Sequence, residues 1–421
     1  MSQEPIVYRQ PGISTDDIDP DALKVVERLY EGGAPALFVG GCVRDLLLGR
    51  KPKDFDVVTP FSLRRVRRIF RANSRVIGRR HRLVHVFFEG GKVVEVSTYP
   101  RPEEEEGSTP GDWEVLDAFR RDFTANALYY DPIRDTLIDY VRGHEDVRSR
   151  ILRSISSPRE SFESDPVRIV RGIRYACLLD FTIEEATGQA MKELAWMVAR
   201  ANKRRMQEEL WKFLLAPRTD RAFRTFADLG IFAILFPEVT VFLDPEGPSR
   251  IWDYLAAKDE VPREELTHAL AMAIFFLPLL DEVDGLGEGD PELELERLLL
   301  RCRETVEPIG RVYSLARKVR YGVLALLDAQ LRMLRGPDGR RSRLVESLHF
   351  EQALRLFKVF CRARGTGADV LAAWEAEAGS RKRKVEPRRA YDEVEEVYET
   401  ARGLGPDGEP RPRRRRRSRS R

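Results

Sequence analysis

Strand-forming patterns are confined to roughly the first 150 residues of this chain, and from about Phe162 the apolar residues recur only at helical spacing. That division specifies an α+β head of mixed strands and helices followed by an all-α remainder. Residues 1–20 read as a loose arm, and 21–30 as a helix with Asp19 or Asp21 near its N-terminus. Residues 36–39 form a short strand running into Gly40-Gly41, 43–48 a helix, 54–58 a second strand and 63–70 a basic helix. Residues 84–88 and 92–98 make a hairpin across Glu89-Gly90-Gly91, and 101–112 a mobile loop. Helices follow over 166–179, 184–199, 203–215 and 220–229, with breaks at 244–248, 281–292 and 336–339. Trp211, Phe213, Phe232 and Phe236 fall at core spacing and read as packing.

Charge is unevenly placed. The last eleven residues hold eight arginines and no acid, and removing those eight charges from the net +3 leaves −5. Such a tail reads as a polyanion-binding arm. The four cysteines, Cys42, Cys177, Cys302 and Cys361, lie far apart without C-x-x-C spacing, which suits free thiols in a reducing cytoplasm and no structural zinc. No stretch is long and apolar enough to span a membrane, and residues 1–20 lack the apolar core of a secretory signal.

Asp54 and Asp56 alternate with Phe55 and Val57. In a strand this points both acids to one face and the apolar pair into the core. Two carboxylates side by side are costly unless a cation neutralises them. An all-oxygen pair suits Mg²⁺ or Mn²⁺, which take carboxylate, water and substrate phosphate. Glu95, in the β-rich run 93–96, can reach the same site from an adjacent strand. Two-metal transfer needs such a cluster, one ion activating a hydroxyl and the other clamping a triphosphate. A D-x-D alone is a common surface pattern; the Gly40-Gly41 corner upstream distinguishes this one. Glycine lets backbone approach phosphate, the following helix offers free N–H groups, and Arg44 on its first turn suits a phosphate clamp.

Three stretches, in this order and spacing, resemble class II of the polymerase-β-like nucleotidyltransferases, the group of bacterial CCA-adding enzymes and poly(A) polymerases. They are residues 40–57, the run Arg120-Arg121-Asp122-Phe123-Thr124-Ala125-Asn126-Ala127, and Asp165-Pro166-Val167-Arg168-Ile169-Val170-Arg171. The resemblance implies a polymerase-β-like head with a mixed sheet and helices, then a helical neck, body and tail. It gives an N-terminal arm and helix over 1–33, a catalytic head over 34–152, a neck over 153–240, body and tail over 241–379, and a basic, largely disordered tail over 380–421. It implies Asp54 and Asp56 as metal ligands, with Glu95 completing the catalytic acids, and Gly40, Gly41 and Arg44 for nucleotide binding. Arg121, Asp122 and Asn126 would contact the ribose, and Asp139 and Gly143 would form a hinge. Asp165 and Arg168 would read the base, with Arg171 continuing their face. Three apart on a helix, Asp165 and Arg168 brace each other. An Asp accepts from an exocyclic amine and an Arg donates to ring acceptors, so the pair suits adenine and cytosine alike. Ser164 stands where the family usually has Glu.

The implied activity is template-independent addition of nucleotides to RNA 3′ ends, with Mg²⁺ or Mn²⁺ and with ATP as substrate. Three features resemble poly(A) polymerases. These are residues 76–86, with Arg79 and Arg80 as RNA contacts and His81 in place of the usual Phe; residues 51–56; and the basic C-terminus, with Arg413, Arg414, Arg415, Arg416 and Arg417 gripping RNA without regard to sequence. CCA addition from CTP and ATP is the alternative. A non-catalytic RNA-binding protein would not need Asp54, Asp56 and Glu95 together. A small-molecule nucleotidyltransferase would not need the base reader, the helical half or the tail. His81 and His85 read as a phosphate donor and a sheet-packing residue; His144, His268 and His349 belong to no H-D pair, so no phosphohydrolase domain is indicated. Expected partners are RNA 3′ ends, of mRNA and also tRNA, ATP, and RNA-decay proteins; a cytoplasmic monomer is expected. Trimming residues 411–421 is expected to weaken RNA binding and flatten its salt dependence while sparing the chemical step. Binding titrations across salt concentrations check this, and an unchanged slope contradicts it.

Overall fold

The computed structural model describes residues 4–77, 83–99, 112–243, 250–285 and 291–380. The expected features at 101–111 and 244–248, Arg79, Arg80, His81 and the tail arginines lie outside the described residues. The chain forms two compact units, Met1–Leu243 with Val312–Ser314, and Asp244–Arg311 with Leu315–Arg421.

The first unit begins with β1 (Ile6–Arg9), α1 (Pro20–Glu31), β2 (Leu37–Val39), α2 (Gly41–Leu47), β3 (Asp56–Thr59) and α3 (Leu63–Ile69). It continues with β4 (Ser74–Ile77), β5 (Leu83–Phe87), β6 (Val93–Thr98), α4 (Asp112–Arg120), β7 (Leu128–Asp131), β8 (Thr136–Asp139) and α5 (Gly143–Ser149). Helix α1 forms because Asp19 accepts from the N–H groups of Asp21 and Ala22, and Pro20 occupies the first position, where no N–H is needed. Its stripe of Ala22, Val25, Val26 and Leu29 is buried. The eight strands make one mixed sheet in the order β1-β8-β7-β2-β3-β6-β5-β4. β3 and β6 run parallel, and the chain through α3, β4 and β5 makes the crossover that parallel pairing requires. β5 and β6 form the expected hairpin, with Gly90 and Gly91 at positive φ in its turn.

Four strand readings need correction. Residues 6–9, inside the supposed loose arm, are the edge strand β1, because β8 offers an unpaired edge. The second strand begins at Asp56, and Asp54 lies in the bend before it. β4, β7 and β8 carry too few residues for a clear period, and β7 and β8 close as a hairpin across residues 132–135. The helical part is also not wholly helical: β9 (Ile151–Leu152) pairs in parallel with β10 (Thr182–Ile183).

Between and after those short strands come α6 (Pro158–Ser164), α7 (Val167–Leu179), α8 (Glu185–Glu193), α9 (Lys203–Leu214), α10 (Thr219–Asp228) and α11 (Ile231–Leu235). α8 ends early and is followed by the 3₁₀ segment Ala195–Arg200. Phe213, Phe223, Phe226, Phe232 and Phe236 form one buried ring cluster, so the aromatic residues at core spacing do pack, while Trp211 is half-buried.

The second unit holds α12 (Ile251–Ala257), α13 (His268–Phe275), α14 (Pro291–Val312), α15 (Arg317–Met333), α16 (Phe350–Arg364) and α17 (Ala368–Ser380). α13 is buried from Leu270 to Phe275 and packs against α12, α15 and α16. The buried Asp281 carboxylate accepts from Arg364 at 3.1 Å, from the Arg250 N–H at 3.1 Å and from the Tyr254 hydroxyl. Among the described residues no helix is long and apolar enough to cross a membrane. The four cysteines are free and buried.

The residues expected at a hinge are tightly held. The Asp139 carboxylate accepts from the N–H groups of Val141, Gly143 and His144, each at 3.0 Å. A Cβ on Gly143 would sit 2.2 Å from the Thr124 carbonyl oxygen. Gly143→Ala is therefore expected to destabilise the first unit by roughly 1–3 kcal/mol, as overpacking does. Denaturant unfolding followed on that unit checks this; wild-type stability would contradict it.

Candidate active site

The sheet brings the acids together through register. β3 pairs with β6 so that Asp56 lies directly across from Glu95. Phe55 and Val57 are buried while Asp54 and Asp56 are exposed, so the expected alternation holds even though Asp54 precedes the strand. Burial raises the Asp56 carboxyl most, Glu95 and Asp54 push the same way, Arg121 opposes them, and the result is about 6. Among the described residues no three His, Cys, Asp or Glu side chains are grouped closely enough to hold one ion. Glu95 instead meets His85, with Nε2 and Oε1 3.1 Å apart, so His85 is not merely a sheet-packing residue.

Gly40 sits at the end of β2 with φ +82°, a left-handed conformation that glycine adopts without strain. A Cβ there would come within 3.1 Å of Arg121 Nη1. Arg121 is held by Asp117, whose Oδ2 accepts from its Nη2 at 2.9 Å and from the Tyr129 hydroxyl at 2.7 Å. Arg44 is buried. It donates from Nε and Nη2 to Asp45 at 2.9 and 2.8 Å and from Nη1 to the Asn126 side chain. Asn126 donates to Asp122 at 3.0 Å, and Asp122 accepts from Arg171 Nε at 2.8 Å. Burial alone would raise the Asp122 carboxyl, but the charge of Arg171 and the bond from Asn126 outweigh it and hold it below the usual value. Arg171 also reaches Glu209 at 3.3 Å and the Tyr175 hydroxyl at 3.0 Å. Arg174 donates to Glu209 at 2.9 Å. Arg44, Arg171 and Arg174 surround the Tyr175 ring, 5.1, 5.5 and 4.4 Å from its centroid. Arg171 thus faces the Asp122 motif.

Asp165 and Arg168 form the expected ion pair, but not on one shared helix. Asp165 is the residue closing α6 rather than part of a helix shared with Arg168, and its Oδ2 stands 3.9 Å from Arg168 Nε. Arg205, on α9, takes that carboxylate at 2.7 Å. Arg168 donates to Ser161 Oγ and to the Arg120 carbonyl, both at 2.8 Å. Ser164 does not cap α7; its hydroxyl donates to the Ser161 carbonyl at 2.8 Å.

A family model described as the Poly A polymerase head domain matches residues 36–153, and one described as the probable RNA and SrmB-binding site of polymerase A matches residues 180–243. Poly(A) polymerase I of Haemophilus influenzae is 32% identical over 384 residues, spanning 86% of this chain and 85% of that protein. The chain belongs to the poly(A) polymerase family. That family of nucleotidyltransferases includes CCA-adding enzymes, and the one from Lactobacillus helveticus is 34% identical over 218 residues, 50% of this chain and 54% of that protein. The crystal structure of the Bacillus stearothermophilus CCA-adding enzyme in complex with CTP superposes with a TM-score of 0.64 at 27% identity, over 86% of this chain and 83% of that one.

Asp117, Tyr175, Arg205 and Glu209 escaped the sequence reading. Asp117 and Arg121 are four apart on one helical turn, which is a legible signal; the other contacts are tertiary. The raised Asp56 carboxyl has a consequence for stability. The folded state binds this proton more tightly than the unfolded chain, whose ordinary value is 3.8. Ionisation therefore destabilises the fold fully above about 6 and not at all well below 3.8. Without divalent cations, Asp56→Asn is expected to melt at a higher temperature than the wild type at pH 8, with the gap closing toward pH 4. Melting curves at both pH values check this; a lower midpoint at pH 8 contradicts it.

Proposed function

We propose that this chain is a poly(A) polymerase that transfers AMP from ATP to RNA 3′ ends without a template and releases pyrophosphate. What carries the reading is the reach of sequence similarity: to Poly(A) polymerase I it runs through 85% of that protein, whereas to the Lactobacillus helveticus CCA-adding enzyme it spans 54%.

Asp54 and Asp56 are the ligands for Mg²⁺ or Mn²⁺. Burial raises the Asp56 carboxyl most and Glu95 and Asp54 add to it, and a bound cation would relieve the cost of the charged form. Bound there, divalent ions neutralise phosphate charge and activate the attacking hydroxyl. Phosphoryl transfer then asks the protein mainly for positioning. Glu95 completes the acid row, oriented by His85. Gly40 and Gly41 leave room for the triphosphate, and Arg121 faces it beside Gly40. Arg44, Asp122, Asn126 and Arg171 already satisfy one another, so they set the shape of the ribose and phosphate site. Asp165 and Arg168 present the base-reading edge, and Arg205 fixes the Asp165 carboxylate. Arg79, Arg80 and Arg413–Arg417 supply contacts to the RNA backbone of mRNA or tRNA ends.

The test offers ATP or CTP separately, with Mg²⁺, to a generic RNA oligomer and to a tRNA lacking its 3′ end. Long ATP-dependent tails on both RNAs are expected; a short, CTP-requiring product on tRNA alone would replace this reading with CCA addition. Asp54→Ala and Asp56→Ala are each expected to abolish transfer while leaving the far-ultraviolet circular dichroism unchanged. Full activity in either would remove the metal assignment.

A further inference from the structure

Register carries one row of side chains from the acids to the sheet edge. Asp56 lies across from Glu95, Glu95 from His85, and His85 from Arg75 on β4. Directly opposed residues share a sheet face. Phe87, two residues beyond His85, shares it as well, and the two rings meet edge-on with centroids 6.2 Å apart. The alternate positions Val84, Val86, Val94 and Val96 are buried on the other face. The row is open: Phe87 is 40% exposed and Arg75 is exposed, with no ion-pair partner among the described residues.

Sheet order gives this face its place in the reaction. The glycine corner ends β2, on one flank of β3, whereas β5 and β4 lie beyond β6 on the other flank. In-line transfer needs the donor triphosphate and the acceptor hydroxyl on opposite sides of the reacting phosphorus. With the triphosphate at Gly40-Gly41, the acceptor's side is the one that carries Phe87, His85 and Arg75. An exposed aromatic ring on the same sheet face as a guanidinium that has no ion-pair partner among the described residues matches single-stranded nucleic acid, in which a base stacks and the phosphodiester next to it is anionic.

We propose that the open face of β5 and β4 is the subsite for the last nucleotides of the RNA primer. Phe87, braced edge-on by His85, stacks on a base, and Arg75 pairs with a backbone phosphate. His85 is in addition a positioning residue for Glu95. The inference rests on the nucleotidyl-transfer reading for its geometry.

The experiment uses the full chain with Mg²⁺ and a fluorescein-labelled RNA oligomer, reading both equilibrium binding and extension with ATP. Phe87→Ala is expected to raise the primer Kd and KM about tenfold, the scale of one lost stacking contact. It should leave kcat and the KM for ATP within about twofold. The variant should also lose the wild type's preference for an ordinary primer over one with an abasic 3′ end. Arg75→Gln should weaken primer binding and reduce its salt slope by about 0.7, the loss of one phosphate contact. Both positions are exposed, and matching melting curves would show that the fold is kept. Unchanged primer Kd and KM in both variants, or a rise confined to the KM for ATP, overturns the subsite. A wild type that extends RNA while the variants match it sinks the subsite alone. A wild type that binds RNA, loses that binding in Phe87→Ala, and transfers no nucleotide supports the subsite and sinks the activity.

Discussion

The parallel pairing of β3 with β6 is the constraint on which the candidate site depends. It sets Asp56 against Glu95 at fixed spacing, something two carboxylates in solution would avoid. Hydrophobic packing opposes that repulsion. Val57, Val58 and Val96 are wholly buried on these two strands, and Phe38 meets Phe55 edge-on at 5.1 Å behind them. A well-packed sheet moves little, so Asp56 stays buried beside Glu95, and burial first and that neighbouring charge second keep its carboxyl raised.

A second constraint joins the head to the helices that follow. Arg44, Asn126, Asp122, Arg171, Glu209 and Arg174 form one chain of polar contacts around Tyr175. Its charges are mostly buried, and each has a partner. Removing one member of such a chain costs about 3–5 kcal/mol, because its neighbour is left buried and unpaired. The glycine corner, the Asp122 motif and α7 therefore behave as one body. Gly172 tightens the same junction, since a Cβ there would meet the ring of Phe123 at 2.7 Å and Met191 Cε at 2.4 Å.

Most of the head and the acids were legible because local signals agreed. Glycines stood where the chain turns, alternation marked the strand of Asp56, and Asp19 with Pro20 marked the start of α1. The illegible parts are tertiary. β1 holds four residues with no strong period and is a strand only because β8 lies beside it. Asp165 and Arg168 have the spacing of a helical pair, yet the helix ends at Asp165, so they meet only at 3.9 Å while Arg205, on another helix, holds the carboxylate at 2.7 Å. Sequence spacing shows which residues can meet within one element, and it is silent on which distant element supplies a better partner.

The spatial order of the sheet also governs when it can form. β3, β4, β5 and β6 lie within residues 56–98, so half of the sheet is available once that stretch has been made. The other half is not. β1 and β2 must wait for β8 and β7, which end at Asp139, before they gain any neighbour on that side. During synthesis the glycine corner therefore stays without its Asn126 and Arg121 framework until well over a hundred residues have emerged, and closure of so long a loop is slow. An N-terminal fusion would sit at the last strand to dock, and is better placed to delay maturation of the head than to disturb its finished structure.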